Sequence, residues 1–325
     1  MRSLIVFLLS LGTLSSVCHA DSLAPFGTAS AYNLVALGGN NKNGAAVAGT
    51  ISTQADVTGR VAAADKVTTG TTVGSHLGSD PWGALAAFDI VSTNGFNSGS
   101  QFNVNSHGNV YAPGTDGNIN FNGGGHRVTS GSSGVDFAAL KTSLTTESNY
   151  LASLAPNGSV GVVIGSNPSW LVLSGTSSTL NIFNITAAQF ASTNNNIEIE
   201  APFGSTIIVN VAGVDVTLGT GLYYNGTQHS GDDETDSKIL FNFADANTVH
   251  INGQLNASVL APYAILSGNA QMSGNFIAAQ IGQTGEVHNG EFTGVLPTPT
   301  PEPGTLLMLG TGLVGLATKL KFRRR

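Results

Sequence analysis

Cysteine is nearly absent from this chain of 325 residues: Cys18 stands alone, inside an N-terminal stretch that reads as a removable leader. With no second thiol there is no internal disulfide, and once Cys18 has left there is no thiolate metal site. Charge is scarce too. Asp, Glu, Lys and Arg together make up 10% of the residues, against about 25% in an average soluble protein. Of the 12 Lys and Arg residues, Arg2, Lys319, Lys321, Arg323, Arg324 and Arg325 sit at the two ends, and the formal net charge is −7. The body is therefore acidic, which excludes nucleic acid as a partner, because binding phosphates needs a basic stripe. Its remaining basic residues, Lys42, Arg60, Lys66, Arg127, Lys141 and Lys238, are few with which to furnish the groove of a polysaccharide-cleaving enzyme.

Glycine fills the chain instead, with 42 residues, near twice the usual share of about 7%. Hydrophobic content of 41% excludes a disordered low-complexity chain. The length suffices for a sizeable core in one large or two small domains. One repeat can be checked letter by letter. Gln254-Leu-Asn-Ala-Ser-Val-Leu-Ala261 is followed seventeen residues on by Gln271-Met-Ser-Gly-Asn-Phe-Ile-Ala278, and Gly268 then falls on Gly285. Each unit reads as a short apolar strand, a small-residue corner, a second strand and a glycine turn. Such a unit buries its apolar face only against a neighbour, as one coil of a β-solenoid. Gly59-Arg-Val-Ala-Ala-Ala64 resembles Gly274-Asn-Phe-Ile-Ala-Ala279, and Ala45-Ala-Val-Ala-Gly49 is a fainter echo. Coils at both ends of the chain imply one elongated β body.

Between them, Asn33–Leu37, Ala87–Val91, Phe102–Val104, Val110–Tyr111, Gly161–Ile164, Trp170–Leu173, Leu180–Phe183 and Ile197–Glu200 read as short strands. Ser205–Val211 is apolar enough to be buried on both faces. Gly117–Gly125 reads as turns, and Gly219–Ser237 as a polar insertion before the final coils. From Asp136 to Ala155, Phe137, Leu140, Leu144, Leu151 and Leu154 recur at helical spacing, with Asp136 as N-cap and Pro156-Asn-Gly158 as the stop. A lone amphipathic helix among strands lies along one face of the solenoid and covers it.

The two ends read as addresses. Arg2, the apolar run Leu4–Leu14 and Cys18-His-Ala20 make a secretory signal with cleavage after Ala20. A lipoprotein would use Cys18, but Val17 is too large for that pattern. At the other end, Pro297–Pro303 forms a stiff tether. The uncharged span Gly304–Thr318 follows, near the short limit of about 17 residues for a spanning helix. Lys319–Arg325 would hold its end in the cytoplasm. Pro301, Glu302 and Pro303, the span and the arginine-rich end together resemble a PEP-CTERM sorting signal. The resemblance implies processing by an exosortase, a membrane enzyme of Gram-negative bacteria that make exopolysaccharide. It also implies inner-membrane anchoring through the tail before release to the cell surface. A plain C-terminal anchor shares every feature but the tripeptide.

A second resemblance rests on Ala55–Val61, Leu173-Ser-Gly175, Leu180–Thr186, Ile239–Phe243, Val259–Ala264, Gly285–Asn289 and Phe292-Thr-Gly294. These are similar to the choice-of-anchor A domain family over about residues 26 to 294. The family implies an adhesin-like, ice-binding-like β-solenoid with one long helix beside the coils. Ala62-Ala-Ala64 departs from it where relatives carry glycines.

Candidate chemistry is thin. Asp232, Asp233, Glu234 and Asp236 present hard oxygens suited to Ca²⁺. Their spacing matches neither an EF-hand nor the calcium-binding nonapeptide, and a solvated loop is the preferred reading. His76, His107, His126, His229, His250 and His288 show no metal-ligand spacing, and His288 reads as a hydrogen-bonded coil residue. No Gly-x-Ser-x-Gly elbow occurs, although a Ser–His–Asp triad is a matter of geometry. Thr68-Thr-Gly-Thr-Thr72 would begin a flat threonine array, or be ordinary strand threonines.

The expectation is thus an all-β protein: a signal peptide over 1–20, a β-solenoid with one long helix alongside over 21–296, and a sorting tail with a transmembrane helix over 297–325. Its work would be non-enzymatic, without a cofactor, as an adhesive or structural protein of the cell surface or biofilm matrix. Its partners would be exosortase, exopolysaccharide or other surface proteins, and the inner membrane. A carbohydrate-active enzyme and an ice-binding protein are the alternatives.

Overall fold

Three-residue segments with no polar position, such as Leu34-Val35-Ala36, can only sit between two apolar layers. The computed structural model, which describes residues 24–77, 81–163, 170–192, 196–219, 221–228 and 237–298, stacks them in that way. Leu34–Ala36 (β1), Val61–Ala63 (β2), Ile90–Ser92 (β3), Val110–Tyr111 (β4) and Arg127–Val128 (β5) come from the first half of the chain. Leu180–Thr186 (β6), Thr206–Ala212 (β7), Ile239–Asn242 (β8), Ser258–Gly268 (β9) and Phe276–Ile281 (β10) come from the second. All pair in parallel, in the order β5-β4-β3-β2-β1-β10-β9-β8-β7-β6. The chain starts in the middle of the sheet and winds out to one end. It then crosses back through the helix Phe137–Ser153 (α1) and winds in from the other end until β10 meets β1.

Two further ladders run beside this sheet, parallel throughout except that Ser159–Val163 pairs antiparallel with Trp170–Ser174. One links Phe96, Val67, Ile51, Ile281, Leu266, Val249 and Val216. The other joins eleven short rungs, from Asn118–Phe121 at one end to Ser159–Val163 at the other. The three ladders enclose one interior, where Leu34, Val61, Val209, Phe241, Phe276, Ile281, Val287 and Met272 are buried together. Gly59 shows how close the coils approach: a Cβ there would lie 1.5 Å from the Asn33 Oδ1 of the neighbouring coil.

The alternate positions of the large sheet form a second apolar layer outside it. Val91, Ala62, Val35, Ile277, Leu260, Leu240, Ile208 and Ile182 stand on successive rungs. They are covered by Leu140, Leu144 and Leu151 of α1, by Phe26, Ala29 and Tyr32 of the N-terminal segment, and by Phe292. Asp136 caps the helix, its side chain accepting from Ala139 N at 3.0 Å. A helix rises about 1.5 Å per residue and strands lie about 4.8 Å apart, so three helical residues nearly match one rung. The polar contacts repeat at that interval. Asn242 Nδ2 donates to Ser148 O (2.9 Å), Asn210 Nδ2 to Leu151 O (2.8 Å) and Asn184 Nδ2 to Leu154 O (3.2 Å). The three amides also bond one another, Asn242 to Asn210 and Asn210 to Asn184, each at 2.9 Å. This ladder gives carbonyls of the last helical turns side-chain donors, Leu151 O in addition to the Leu154 N–H.

The structure corrects several sequence expectations. Asn118–Phe121 is a strand rather than a turn, and Ala46–Val47 pairs with Gly39–Asn40 in an antiparallel hairpin rather than forming a coil. Leu222–Tyr224, expected inside a polar insertion, is a rung. A second short helix covers Ala187–Ser192, so α1 is not alone. The strand expected over Ala87–Val91 is Ile90–Ser92. The leader with Ala20, the tripeptide Pro301, Glu302 and Pro303 with its apolar span, and Asp232, Asp233, Glu234 and Asp236 lie outside the described residues. Among the described residues no helix is long and apolar enough to cross a membrane.

Replacing Asn210 by Ala removes three side-chain hydrogen bonds, to the Leu151 carbonyl, to Asn184 and to Asn242, at about 1 kcal/mol each. Chemical denaturation should register a loss of about 3 kcal/mol. Asn210→Asp faces a carboxylate towards the negative end of α1. It should be at least as damaging at neutral pH and recover in part when the carboxyl protonates.

Candidate functional site

Strand alternation sends every second side chain of the eleven-rung ladder outwards, and most of these side chains are uncharged and polar. One outward row runs Asn120, Asn103, Thr72, Asp56, Glu286, Gln271, Gln254. The next runs Asn122, Asn105, Gly74, Thr58, His288, Ser273, Asn256, Tyr223, Glu198, Val172, of which Gly74, Thr58, Ser273, Asn256 and Glu198 are covered and buried. Asn120 Nδ2 donates to Asn103 Oδ1 at 3.0 Å and Asn122 Nδ2 to Asn105 Oδ1 at 2.7 Å, so the amides are held in register. Gln271 Nε2 bonds the His288 ring, which makes His288 a hydrogen-bonded coil residue. Ten spacings of about 4.8 Å make the flank about 50 Å long. Near one end Trp170 and Tyr223 lie with ring centroids 4.9 Å apart, beside Glu198 and Glu200. Burial raises the Glu198 carboxyl above the usual range, although Gly226 N donates to it at 2.6 Å.

The other exposed flank is mixed. Its outward rows read Asp215, Thr248, Ile265, Gln280, Thr50, Lys66 and Thr217, His250, Ser267, Gly282, Ser52, Thr68. Neither row places threonines on three successive rungs. Thr68 to Thr72 turn a corner instead, with the Thr69 and Thr71 hydroxyls bonded to the Thr53 and Ala55 carbonyls of the coil below.

Lys42 and Lys141 both lie over the Tyr263 ring, 4.9 and 5.1 Å from its centroid, and four basic residues are tied to carboxylates or carbonyls. Lys42 pairs with Asp245 (2.7 Å) and Arg60 with Asp89 (2.8 Å). Arg127 Nε donates to the Ala112 carbonyl at 2.9 Å, and Lys141 donates to the Pro262 carbonyl. Asp89, Ser106 and His107 line one shallow cleft, but they do not make a triad. The Ser106 hydroxyl bonds Asp89, and His107 Nδ1 faces the Gly123 carbonyl. Among the described residues no three His, Cys, Asp or Glu side chains gather as metal ligands.

One group escaped the sequence reading, because only burial marks it. Glu291 is 4% exposed, and neither of its carboxylate oxygens has a hydrogen-bond partner. It borders a cavity of about 300 Å³ with Pro81, Ser237, Lys238, Asn289 and Thr293. The cavity lies against the amide flank: Asn289 N donates to Thr58 Oγ1 at 2.6 Å, and a Cβ on Gly290 would come within 2.6 Å of Ser273 Oγ. Burial pushes the Glu291 carboxyl up to about 7, with the Arg60 charge opposing. A folded-state pKa above the unfolded value means the native state holds the proton longer, so stability falls as pH rises from about 4.5 to 7. A gap of that size corresponds to about 3 kcal/mol. Glu291→Gln should therefore gain on the wild type progressively between pH 5 and pH 8, as urea titrations at each pH would measure.

Residues 299–325 match the PEP-CTERM protein-sorting motif, which marks an exported protein that exosortase processes at the membrane and that ends on the cell surface. No curated protein matches the chain. Among solved structures, an ice-binding protein from an Antarctic Biological Consortium is similar at 12% identity and a TM-score of 0.31, covering 81% of this chain and 89% of that one. One from the Antarctic ascomycete Antarctomyces psychrotrophicus is similar at 7% identity and a TM-score of 0.27, covering 84% and 98%. At these scores the likeness adds nothing to the architecture read from strand pairing. Residues 25–289 match a family model over most of the chain, and the chain belongs to the family of ice-binding-like adhesive domains.

Proposed function

We propose that the body is a rigid β-solenoid that adheres, without catalysis, to exopolysaccharide at the surface of a Gram-negative cell. It would arrive there through a cleaved signal peptide and a tail that spans the inner membrane until exosortase cuts it. The observation that carries this reading is the amide-lined flank, about 50 Å long, with the Trp170–Tyr223 pair near its end. A flat row of amides and hydroxyls offers many weak hydrogen bonds to an extended chain, and aromatic faces supply the anchoring contacts. Basic groups tied to carboxylates and carbonyls, and the Ser106 hydroxyl held on Asp89, favour binding over turnover. Rows interrupted by Asp215, Ile265 and Lys66 speak against an ice-binding flank.

Trp170→Ala and Tyr223→Ala should each weaken binding of the host's exopolysaccharide about tenfold, or ~1.4 kcal/mol, in a sedimentation assay. Unchanged binding in both would remove the flank from consideration. In the native host Glu302→Ala should accumulate an uncleaved inner-membrane form, which immunoblots of fractionated cells would reveal. Normal processing of that variant would end the sorting reading.

A further inference from the structure

We propose that Glu198 and Glu200 set the charge preference of the Trp170–Tyr223 pair, so that the flank selects an amino-sugar polymer with free ammonium groups over neutral or acidic polysaccharides. The inference deepens the polysaccharide reading and rests on it. From Thr142 to Ser237 the sequence has no Lys or Arg, while Asp and Glu recur through it. The aromatic pair lies inside this span. On the four rungs around it, Ser159–Val163, Trp170–Ser174, Ile197–Glu200 and Leu222–Tyr224, the charged side chains are Glu198 and Glu200.

The rung Ile197–Glu200 runs between those of Trp170 and Tyr223, and Glu198 stands between Val172 and Tyr223. The two rings meet across its strand, and Glu198 is 7% exposed. A polymer on the flank would therefore meet the rings and feel this carboxylate through its field. Gly226 N fixes one carboxylate oxygen at 2.6 Å but brings no charge. Burial and the nearby Glu200 charge both push the carboxyl up, as expected of an acid with no base beside it. Glu200, two residues on along the same outward face, is exposed, and Ser174 Oγ donates to its Oε2 at 2.8 Å. Beside Val172 the surface is open, since a Cβ on Gly161 would meet nothing within 4 Å.

This arrangement ranks polymers by charge. An acidic polysaccharide would bring carboxylates against Glu198 and Glu200 with no lysine to offset them, and like charges brought together cost affinity. A neutral one would gain ring contacts and hydrogen bonds alone. An ammonium group is drawn both to the negative faces of the Trp and Tyr rings and to the two carboxylates. Farther along, Asp56 and Glu286 carry the same sign on the outer row, so one chain could meet acids at several of its ammonium groups.

The test uses the full chain and two oligosaccharides of equal length, glucosamine hexamer and N-acetylglucosamine hexamer, titrated calorimetrically in a mildly acidic buffer of low salt. The glucosamine hexamer should bind about tenfold more tightly or better, and added salt should erode that ratio. Glu198→Gln keeps an oxygen for the Gly226 N–H. It and Glu200→Gln should each cut the ratio about threefold while leaving the N-acetylglucosamine affinity unchanged. A merely structural role would lower both affinities together. Equal affinities for the two hexamers, unmoved by either variant, would overturn the charge preference and leave the flank reading standing. Neither hexamer binding, while the host's exopolysaccharide still sediments with the chain, would do the same. If the exopolysaccharide also fails to bind, the flank reading falls and takes this proposal with it. Polylysine that displaces the glucosamine hexamer at equal concentration of charge would overturn the sugar class.

Discussion

The match between a helix and a stack of strands governs this structure. Three residues of α-helix rise about 4.5 Å, and neighbouring strands stand about 4.8 Å apart. A helix laid across the strands can therefore meet each rung with the same side of itself, for a few rungs, before the mismatch accumulates. Helix α1, at 17 residues, runs about as far as five rung spacings. It uses the coincidence twice, once with leucines over the apolar row and once with backbone carbonyls over the asparagines. Asn242 and Asn210 are buried, yet each finds partners on the next rung and on the helix. A fully satisfied polar network of this kind fixes alignment where leucine packing alone would tolerate sliding.

The helix and the N-terminal segment also resolve a problem that the winding creates. A sheet whose strands are apolar on both sides needs a second cover, and a stack of coils supplies only one. The chain leaves the first set of coils, traverses the outer side and begins the second set at the far end. The last strand then closes against the first, with β1 held between β2 and β10. Strands far apart in sequence thus zip the two halves into one body and leave two flanks facing out.

Those flanks differ in chemistry although the same backbone presents them. The amide flank bonds its own asparagines from rung to rung at one end, whereas the other has no such pairs of amides on successive rungs. Beside the first sits Glu291, a buried carboxylate whose two oxygens have no hydrogen-bond partner.

Much of this was legible in the residues. The seventeen-residue repeat is the spacing at which Leu255 pairs with Met272 and Val259 with Phe276. The echo between Gly59–Ala64 and Gly274–Ala279 marks two coils with only β1 between them. Asp136 and the leucine spacing located the helix to within two residues at either end. Asn118–Phe121 was lost because Gly117 and Gly123–Gly125 around it read as turns, which hid the alternation of Asn118, Ile119, Asn120 and Phe121. Leu222–Tyr224 was lost among polar neighbours for the same reason.

Local pattern thus determined most of the strands and the long helix, and the C-terminal segment declared sorting, because those signals are short-range. The order of the rungs belonged to the tertiary structure alone. Strand pairing is made by backbone groups, so one apolar triplet accepts any other as its neighbour, and only the joint burial of both sheet faces selects β1 beside β10. The exposure of the amides and the isolation of Glu291 follow from that order. A carboxylate reads the same on paper whether water or a closed corner surrounds it.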